Sequence, residues 1–161
     1  GMTGYRLGYV AAPKEHIKNL TSLQSQITSC SSFISQKCGI DALNDYTYYQ
    51  TCIEELKSVA EYLYNSLLNI PNLKVCMPMG ALYIFIDISY YLGKFNLDDI
   101  EFCTKLLEVE SIAVAPGSIF GDNNSIRVCY GIDKKKANKF VDSLNNFLNS
   151  QSQFNQINLV F

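Results

Sequence analysis

Apolar residues recur three and four positions apart through much of the first seventy residues, and then the grammar changes. Ile17, Leu20, Leu23 and Ile27, followed by Phe33, Ile34, Cys38, Ile40 and Leu43, predict helix from Lys14 to about Asn44, with a break near Ser29-Cys30-Ser31-Ser32. Residues 46–69 form the clearest helix. Ile53, Leu56, Val59, Ala60, Leu63, Leu67 and Leu68 make one apolar stripe, and Ile70-Pro71-Asn72 ends it. From there the pattern is strand-like. Leu73–Met77 and Ala81–Ile88 read as strands joined through Met79-Gly80, Ile112–Ala115 as a strand stopped by Pro116-Gly117, and Ser125–Tyr130 as another after a loop at Ser118–Asn124. Asn96-Leu97-Asp98-Asp99 opens a helix running to about Glu108, with acidic residues placed to suit its dipole. Asp133 caps a last helix that reaches about Asn149 and carries Ala137, Phe140, Val141, Leu144, Phe147 and Leu148. Ahead of all these, Tyr5 to Ala12 reads as a short strand, and Pro13 suits the first turn of the helix that follows. The polar stretch from residue 150 gives way to an exposed-looking Ile157-Asn158-Leu159-Val160-Phe161.

The second half of this order predicts an α+β domain, one sheet backed by helices. The first strand has no sheet of its own to join, so the chain is expected to begin in the middle of a domain. Such a piece would leave apolar surface exposed along residues 1–44, and at Ile157–Phe161.

Composition narrows the function classes. The 161 residues are 48% hydrophobic and 17% charged, enough apolar material for a packed core and unlike a disordered chain. A net charge of −2 and a pI near 5.3 argue against a nucleic-acid partner, which a basic face would attract. No apolar run reaches the roughly 18 residues of a membrane span, and a cytoplasmic location is the default expectation. The six cysteines (Cys30, Cys38, Cys52, Cys76, Cys103 and Cys129) form no C-x-x-C pair, and His16 is the one histidine, which disfavours a zinc site; buried reduced thiols are expected. No triad, metal pair or phosphate-binding glycine loop is visible. His16 lies in a first helical turn, and Asp98 and Asp99 are better explained by capping than by acid–base work. One oddity remains. Eleven of the thirteen basic residues are Lys, and only Arg6 and Arg127 are Arg. Arginine's planar fork binds carboxylate and phosphate through two parallel hydrogen bonds, which lysine cannot copy. Arg6 lies in the glycine-flanked Met2–Tyr9 segment, and Arg127 lies inside the apolar run Ser125–Tyr130, where a charge must be paired or face a ligand. A salt bridge to a carboxylate is the structural alternative for each.

At these residues the chain resembles the C-terminal part of a class I/II pyridoxal-phosphate (PLP)-dependent aminotransferase of fold type I. Met2–Tyr9 resembles the family's M-T-G-[WY]-R-x-G-Y segment. Leu23–Gln26 with Thr28-Ser29 is similar to the following helix in the bacterial- and plant-type aspartate/prephenate branch. Pro78-Met79-Gly80-Ala81-Leu82-Tyr83 resembles P-x-G-A-[FL]-Y. Ile112–Gly121 resembles V-A-V-x-P-G-x-x-F-G, and Ile126–Tyr130 resembles I-R-[IL]-S-Y. These five matches occur in order and cover roughly residues 2–148.

The resemblance implies an α/β fold in which residues 1–44 end the large PLP-binding domain, 46–69 form the interdomain helix, 70–150 the small α+β C-terminal domain and 151–161 a tail. It implies that Arg6 holds the PLP phosphate and that Arg127 holds the substrate α-carboxylate. It also implies that the Schiff-base lysine lies about four residues before Met2, so that this chain carries no catalytic residue, binds no metal, and is inactive alone with PLP held only by the parent; Gly1 reads as an added residue. The implied parent is a homodimer, without nucleic-acid or membrane partners, that transfers an amino group between aspartate and a 2-oxo acid such as 2-oxoglutarate. Alanine, aromatic and kynurenine aminotransferases are the alternatives within the class, and a non-catalytic dimerisation or scaffold piece is the alternative outside it. Tyr5 stands where Trp is commoner. Cys30 stands where that branch usually has Asn, at a segment that reaches the neighbouring subunit, and this leaves the substrate preference open.

Overall fold

The computed structural model describes residues 2–150; the tail 151–161, with its apolar end at Ile157–Phe161, lies outside the described residues. Two compact units divide between Ile53 and Glu54.

In the first unit, a single 3-10 turn at Thr3–Tyr5 leads into irregular chain, followed by α1 (Lys14–Ile27), α2 (Phe33–Asn44) and the start of α3 (Tyr46–Leu68). The expected break between two helices is present. Ser29 adopts φ 63°, and the chain re-enters helix at Phe33 after the N-cap Ser32. Pro13 caps α1, its carbonyl accepting the backbone N–H groups of His16 and Ile17. The strand expected at residues 5–12 is not formed. A strand exists only as a member of a ladder, and every described strand lies between residues 74 and 129, in the other unit. Arg6 instead takes a left-handed conformation (φ 51°) that ends the 3-10 turn. The expected apolar exposure is found: Tyr9 and Val10 are 84% and 65% exposed, and Leu23, Ile27, Phe33, Ile34, Ile40 and Leu43 are all exposed.

The second unit contains the rest of α3, then β1 (Lys74–Val75), β2 (Tyr83–Asp87), α4 (Ser89–Phe95), α5 (Asp99–Glu110), β3 (Ala115–Pro116), β4 (Ser125–Cys129) and α6 (Lys134–Asn149). The strands form one antiparallel sheet in the order β1-β2-β4-β3. Its two faces differ by the period of two that alternation dictates. Ile84 pairs with Val128 and Ile86 with Ile126, and all four are buried in the core. Tyr83 and Phe85, opposite Cys129 and Arg127, take the other face. Val59, Ala60, Leu63 and Leu67 of α3, Phe102 and Leu106 of α5, and Ala137, Phe140, Leu144, Phe147 and Leu148 of α6 complete the core. Phe102 and Phe147 meet edge to face at 5.3 Å. Of the predicted α3 stripe, Ile53 and Leu68 are exposed; Leu68 follows the fully buried Leu67 and so lies about 100° round the helix from it.

Several boundaries differ from expectation. The helix expected from Asn96 begins at Asp99, with Asn96 left-handed as the cap of α4, a seven-residue helix the pattern does not announce because Gly93 interrupts it. Asp98 and Glu101 form a reciprocal capping box: the Asp98 carboxylate accepts the Glu101 N–H at 2.7 Å and Glu101 accepts that of Asp98 at 3.1 Å. The strand expected at 112–115 is reduced to Ala115–Pro116, because only these residues reach β4 in register. The cysteines are free, but only Cys103 is buried. Cys38 and Cys52 are half-buried, and Cys30, Cys76 and Cys129 are exposed. For Cys129 the cause is strand alternation, which turns it away from the core beside a buried Val128.

Asp87 ends β2 and offers a test of the sheet's electrostatics. Burial pushes its carboxyl up, but hydrogen bonds from Ser89 and the Lys74 ammonium outweigh burial and hold it below 3.8. The Ser89 N–H donates at 2.9 Å, and the Lys74 Nζ lies at 3.0 Å. A carboxylate held low when folded contributes stability above the unfolded value, and that stability is lost as pH falls through the folded value. Asp87→Asn is therefore expected to lower the urea midpoint at neutral pH, and the gap to the parent should close as pH falls from the ordinary carboxylate range through the lowered folded value. A gap of equal size at both ends of the pH range would show that the ionised form contributes nothing.

Candidate functional site

The outward face of the sheet carries the candidate site. Arg127 sits at the middle of β4, flanked by Phe85 of β2 and Ala115 of β3 as direct cross-strand partners. The hydrophobic β-branched residues on either side, Ile126 and Val128, point into the core, so alternation alone turns the arginine outward. Its side chain is half-buried. The guanidinium carbon lies 4.1 Å from the centre of the Tyr83 ring and 3.8 Å from that of Phe120. Among the described residues no carboxylate forms an ion pair with it, so the salt-bridge alternative does not hold there. Beside it opens a hollow of about 190 Å³ lined by Tyr83, Ala113, Val114, Ala115, Arg127 and Cys129. A cation whose nitrogens have no acceptor among the described residues, lining a small hollow, is suited to an anionic ligand.

Phe120 reaches Arg127 from a 3-10 turn, Gly117–Phe120, that follows β3. Tight packing and a buried carboxylate fix this turn. A Cβ on Gly117 would fall 2.2 Å from the Asp122 carbonyl oxygen, so only glycine fits. Asp99, 4% exposed, accepts the Ser118 N–H at 2.8 Å. Capping, the sequence expectation for Asp98 and Asp99 together, is thus true of Asp98, while Asp99 has a different task. Spacing along the chain cannot show this, since the two partners are nineteen residues apart.

Behind the turn a second hollow of about 200 Å³ runs between α5 and β3, touching Ile100, Cys103, Leu107 and Val114. Burial, with the Asp99 charge nearby, pushes the Cys103 thiol up to about 11, so it is neutral and unreactive at ordinary pH. Tyr130 closes the other end of the sheet; its hydroxyl donates to the Ala81 carbonyl at 2.9 Å, pinning a turn in which Ala81 is left-handed (φ 61°).

Arg6 belongs to the first unit. Its guanidinium is exposed, and its one described side-chain contact is Nη1 to the Thr3 carbonyl at 3.5 Å, too long to be a firm hydrogen bond. No carboxylate among the described residues pairs with it, and the space around Gly4 and Gly8 is open. A permanent charge with a free fork in open surroundings fits a phosphate dianion. His16 makes only a long, exposed approach to Glu15, at 3.9 Å, and nothing gathers around it. Among the described residues no cluster of His, Cys, Asp and Glu is able to hold a metal ion, and no helix is long and apolar enough to cross a membrane.

The second unit is thus a helix-backed antiparallel sheet carrying one outward arginine, and the first contains two helices and a glycine-flanked arginine. The family model for aminotransferases of class I and II matches residues 1–144, and the chain belongs to that family. The bifunctional aspartate aminotransferase and glutamate/aspartate-prephenate aminotransferase of Petunia hybrida is 38% identical over 140 residues, covering 80% of this chain and 29% of the relative. An aspartate aminotransferase of Rhizobium meliloti is 35% identical over 152 residues, covering 89% of this chain and 37% of the relative. Among solved structures, the aspartate aminotransferase of Thermotoga maritima superposes with a TM-score of 0.79 at 28% identity, covering 92% of this chain and 37% of that one. The aromatic aminotransferase of Pyrococcus horikoshii superposes at 0.75 and 28% identity, covering 91% and 39%. The chain thus spans well under half the length of the relatives it matches.

Proposed function

We propose that this chain is the C-terminal portion of a PLP-dependent aminotransferase that moves an amino group between aspartate and a 2-oxo acid such as 2-oxoglutarate. The observation that carries the reading is Arg127, an outward arginine with no internal carboxylate partner, set beside a small hollow in a chain of the aminotransferase family. Residues 1–44 are read as the end of the large domain, 46–69 as the interdomain helix and 70–150 as the small domain. Aspartate is favoured by the names of the Petunia and Rhizobium relatives. The proposed assembly is a homodimer, as the family resemblance implies, with a cytoplasmic location as the default.

When bound, PLP supplies an electron sink for the bond broken at the substrate's α-carbon. This chain contributes binding and orientation. Arg6 takes the cofactor phosphate with its fork, and its fixed charge requires no proton bookkeeping. Arg127 takes the substrate α-carboxylate, which turns the amino group and the α-hydrogen toward the reacting centre and removes their rotational freedom beforehand. The Schiff-base lysine and the groups that read the cofactor ring and the substrate side chain are assigned to the rest of the parent.

The test is amino transfer by the longer protein that carries this chain. Oxaloacetate should appear from aspartate and 2-oxoglutarate, faster than the corresponding 2-oxo acids appear from alanine, phenylalanine or kynurenine. Absence of transfer from all four would overturn the reading. The chain by itself, mixed with PLP, reduced with borohydride and dialysed, should carry no pyridoxyl group at one lysine in a one-to-one ratio; one such group per chain would show that it holds a Schiff-base lysine after all.

A further inference from the structure

Arg127 raises a question that the clamp reading leaves open: what holds it ready. A long side chain with an unpaired head has many rotamers to lose on binding a ligand. Here no hydrogen bond or ion pair among the described residues restrains the guanidinium, and the restraint comes from the two aromatic rings whose centres lie 4.1 and 3.8 Å from its carbon. We infer that Tyr83 and Phe120 are positioning residues for Arg127 which hold its guanidinium so that it selects a planar carboxylate over a tetrahedral oxyanion, with Asp99 setting Phe120 in place. The inference rests on the clamp reading above and adds to it the source of the clamp's geometry.

The rings are themselves positioned from different directions. Tyr83 is part of the β2–β4 ladder, paired with Cys129 two residues beyond Arg127, so it sits diagonally across from the arginine. Phe120 comes from the 3-10 turn and also packs edge to face on Phe85, with ring centres 5.8 Å apart and planes at 81°. Phe85 in turn is the direct cross-strand partner of Arg127. Arginine, both rings and Phe85 therefore form one contiguous cluster on the outward face. The turn that carries Phe120 hangs on the Ser118 N–H, received by the buried Asp99 carboxylate at 2.8 Å, and on the Asp122 N–H, received by the Gly117 carbonyl at 3.1 Å. Asp98 supplies the cap of α5, which leaves Asp99 with the turn as its task.

Selectivity follows from shape. All five guanidinium N–H groups lie in its plane. A carboxylate is planar as well and forms two parallel bonds at the edge without leaving that plane. A phosphonate or sulfonate necessarily places at least one oxygen out of that plane, where the two rings are proposed to crowd it. Arginine itself tolerates either group, so the discrimination belongs to the rings.

The test uses the longer PLP-loaded protein and four variants: Phe120→Leu, Tyr83→Leu, Tyr83→Phe and Asp99→Ala, with Arg127→Lys as control. The readouts are kcat, KM for the amino acid, the dissociation constant of maleate as a non-reacting planar dicarboxylate, and the affinity ratio between the amino acid and its α-phosphonate analogue. Phe120→Leu and Tyr83→Leu are each expected to raise KM and the maleate constant together by about five- to tenfold, from the loss of one ring–cation contact. The carboxylate-to-phosphonate ratio should narrow, and kcat should change less than about threefold. Asp99→Ala should follow Phe120→Leu, and Tyr83→Phe, which keeps the ring, should recover most of the loss. Thermal melts accompany each variant; if Phe120→Leu melts far below the parent, Phe120→Met keeps the bulk without the ring and replaces it. KM, maleate affinity and ratio within twofold of the parent in both ring variants, while Arg127→Lys weakens binding, would overturn the inference and leave the clamp intact. Unchanged binding in Arg127→Lys would overturn the clamp, and this inference with it.

Discussion

Arg127→Lys, made in the longer protein, is expected to raise KM for the amino-acid substrate by roughly 10- to 100-fold, the worth of a charge-assisted hydrogen bond lost from a two-pronged pair. Charge is conserved, so the effect isolates geometry. An ammonium is a point donor that cannot make two parallel bonds to one carboxylate, and it has no planar face to set over the two aromatic rings whose centres lie 4.1 and 3.8 Å from the guanidinium carbon. The fold should tolerate the change. Arg127 is half-buried on the outward face, makes no ion pair among the described residues, and lies between two core residues, Ile126 and Val128, that remain as they are. The melting temperature is therefore expected to move by only a few degrees while KM moves by an order of magnitude or more. If KM stays within twofold of the parent, the carboxylate is held elsewhere, and the proposed function loses the observation that carries it. A fall in kcat matched by the fall in kcat/KM would instead mean that the arginine acts only in the transition state.

Much of this architecture was legible because its elements have strong periods. α6 buries Ala137, Phe140, Leu144, Phe147 and Leu148, a set spaced as one helix face, and all five stood out in the sequence. The inward residues of β2 and β4 alternate with outward ones, which a period of two announces. Arg127 stood out for another reason, a fork-bearing cation inside an apolar run in a chain that uses lysine almost everywhere else. The cluster around it was not legible. Tyr83 and Phe85 share a face with Arg127 only once β2 and β4 are paired in one particular register, and a slip of one residue would exchange the faces. With the two strands paired in this register, Tyr-x-Phe and Arg-x-Cys fall on the same side, which is the one signal the sequence holds. Asp99 was hidden more deeply. It follows a capping aspartate at a helix start, where local capping accounts for any acidic residue, and its real partner comes from a turn on another element. The strand expected at residues 5–12 failed for the opposite reason. Its composition suits a strand, but pairing is a long-range property, and the first unit contains no described strand to provide it.

Gly117→Ala is expected to be the most damaging single-methyl change in the second unit. The Cβ would stand 2.2 Å from the Asp122 carbonyl oxygen, 2.5 Å from that of Ser125 and 3.0 Å from the Ser125 carbonyl carbon. These are backbone atoms, so no side chain can rotate away, and Ser125 itself is fixed as the buried first residue of β4, paired with Asp87. Relief must come from moving the turn. Overpacking of this kind costs typically 1–3 kcal/mol and sometimes more, and for a domain of this size 3 kcal/mol lowers the melting temperature by roughly 10–20 °C. A glycine in open space provides the control. Gly93, inside α4, has nothing within 4 Å of the place a methyl would take, and there the same substitution removes backbone freedom from the unfolded chain at no steric cost, for a gain of about 0.5–1 kcal/mol. Two substitutions of the same type should thus move stability in opposite directions. The displaced turn also has a functional consequence, because it carries both Ser118, held by Asp99, and Phe120, held against Arg127. Gly117→Ala should therefore weaken carboxylate binding in protein that is still folded, measured well below its lowered melting temperature. A variant that melts with the parent would show that the turn has slack, and Phe120 would then owe its position to the ring of Phe85 and not to the backbone beneath it.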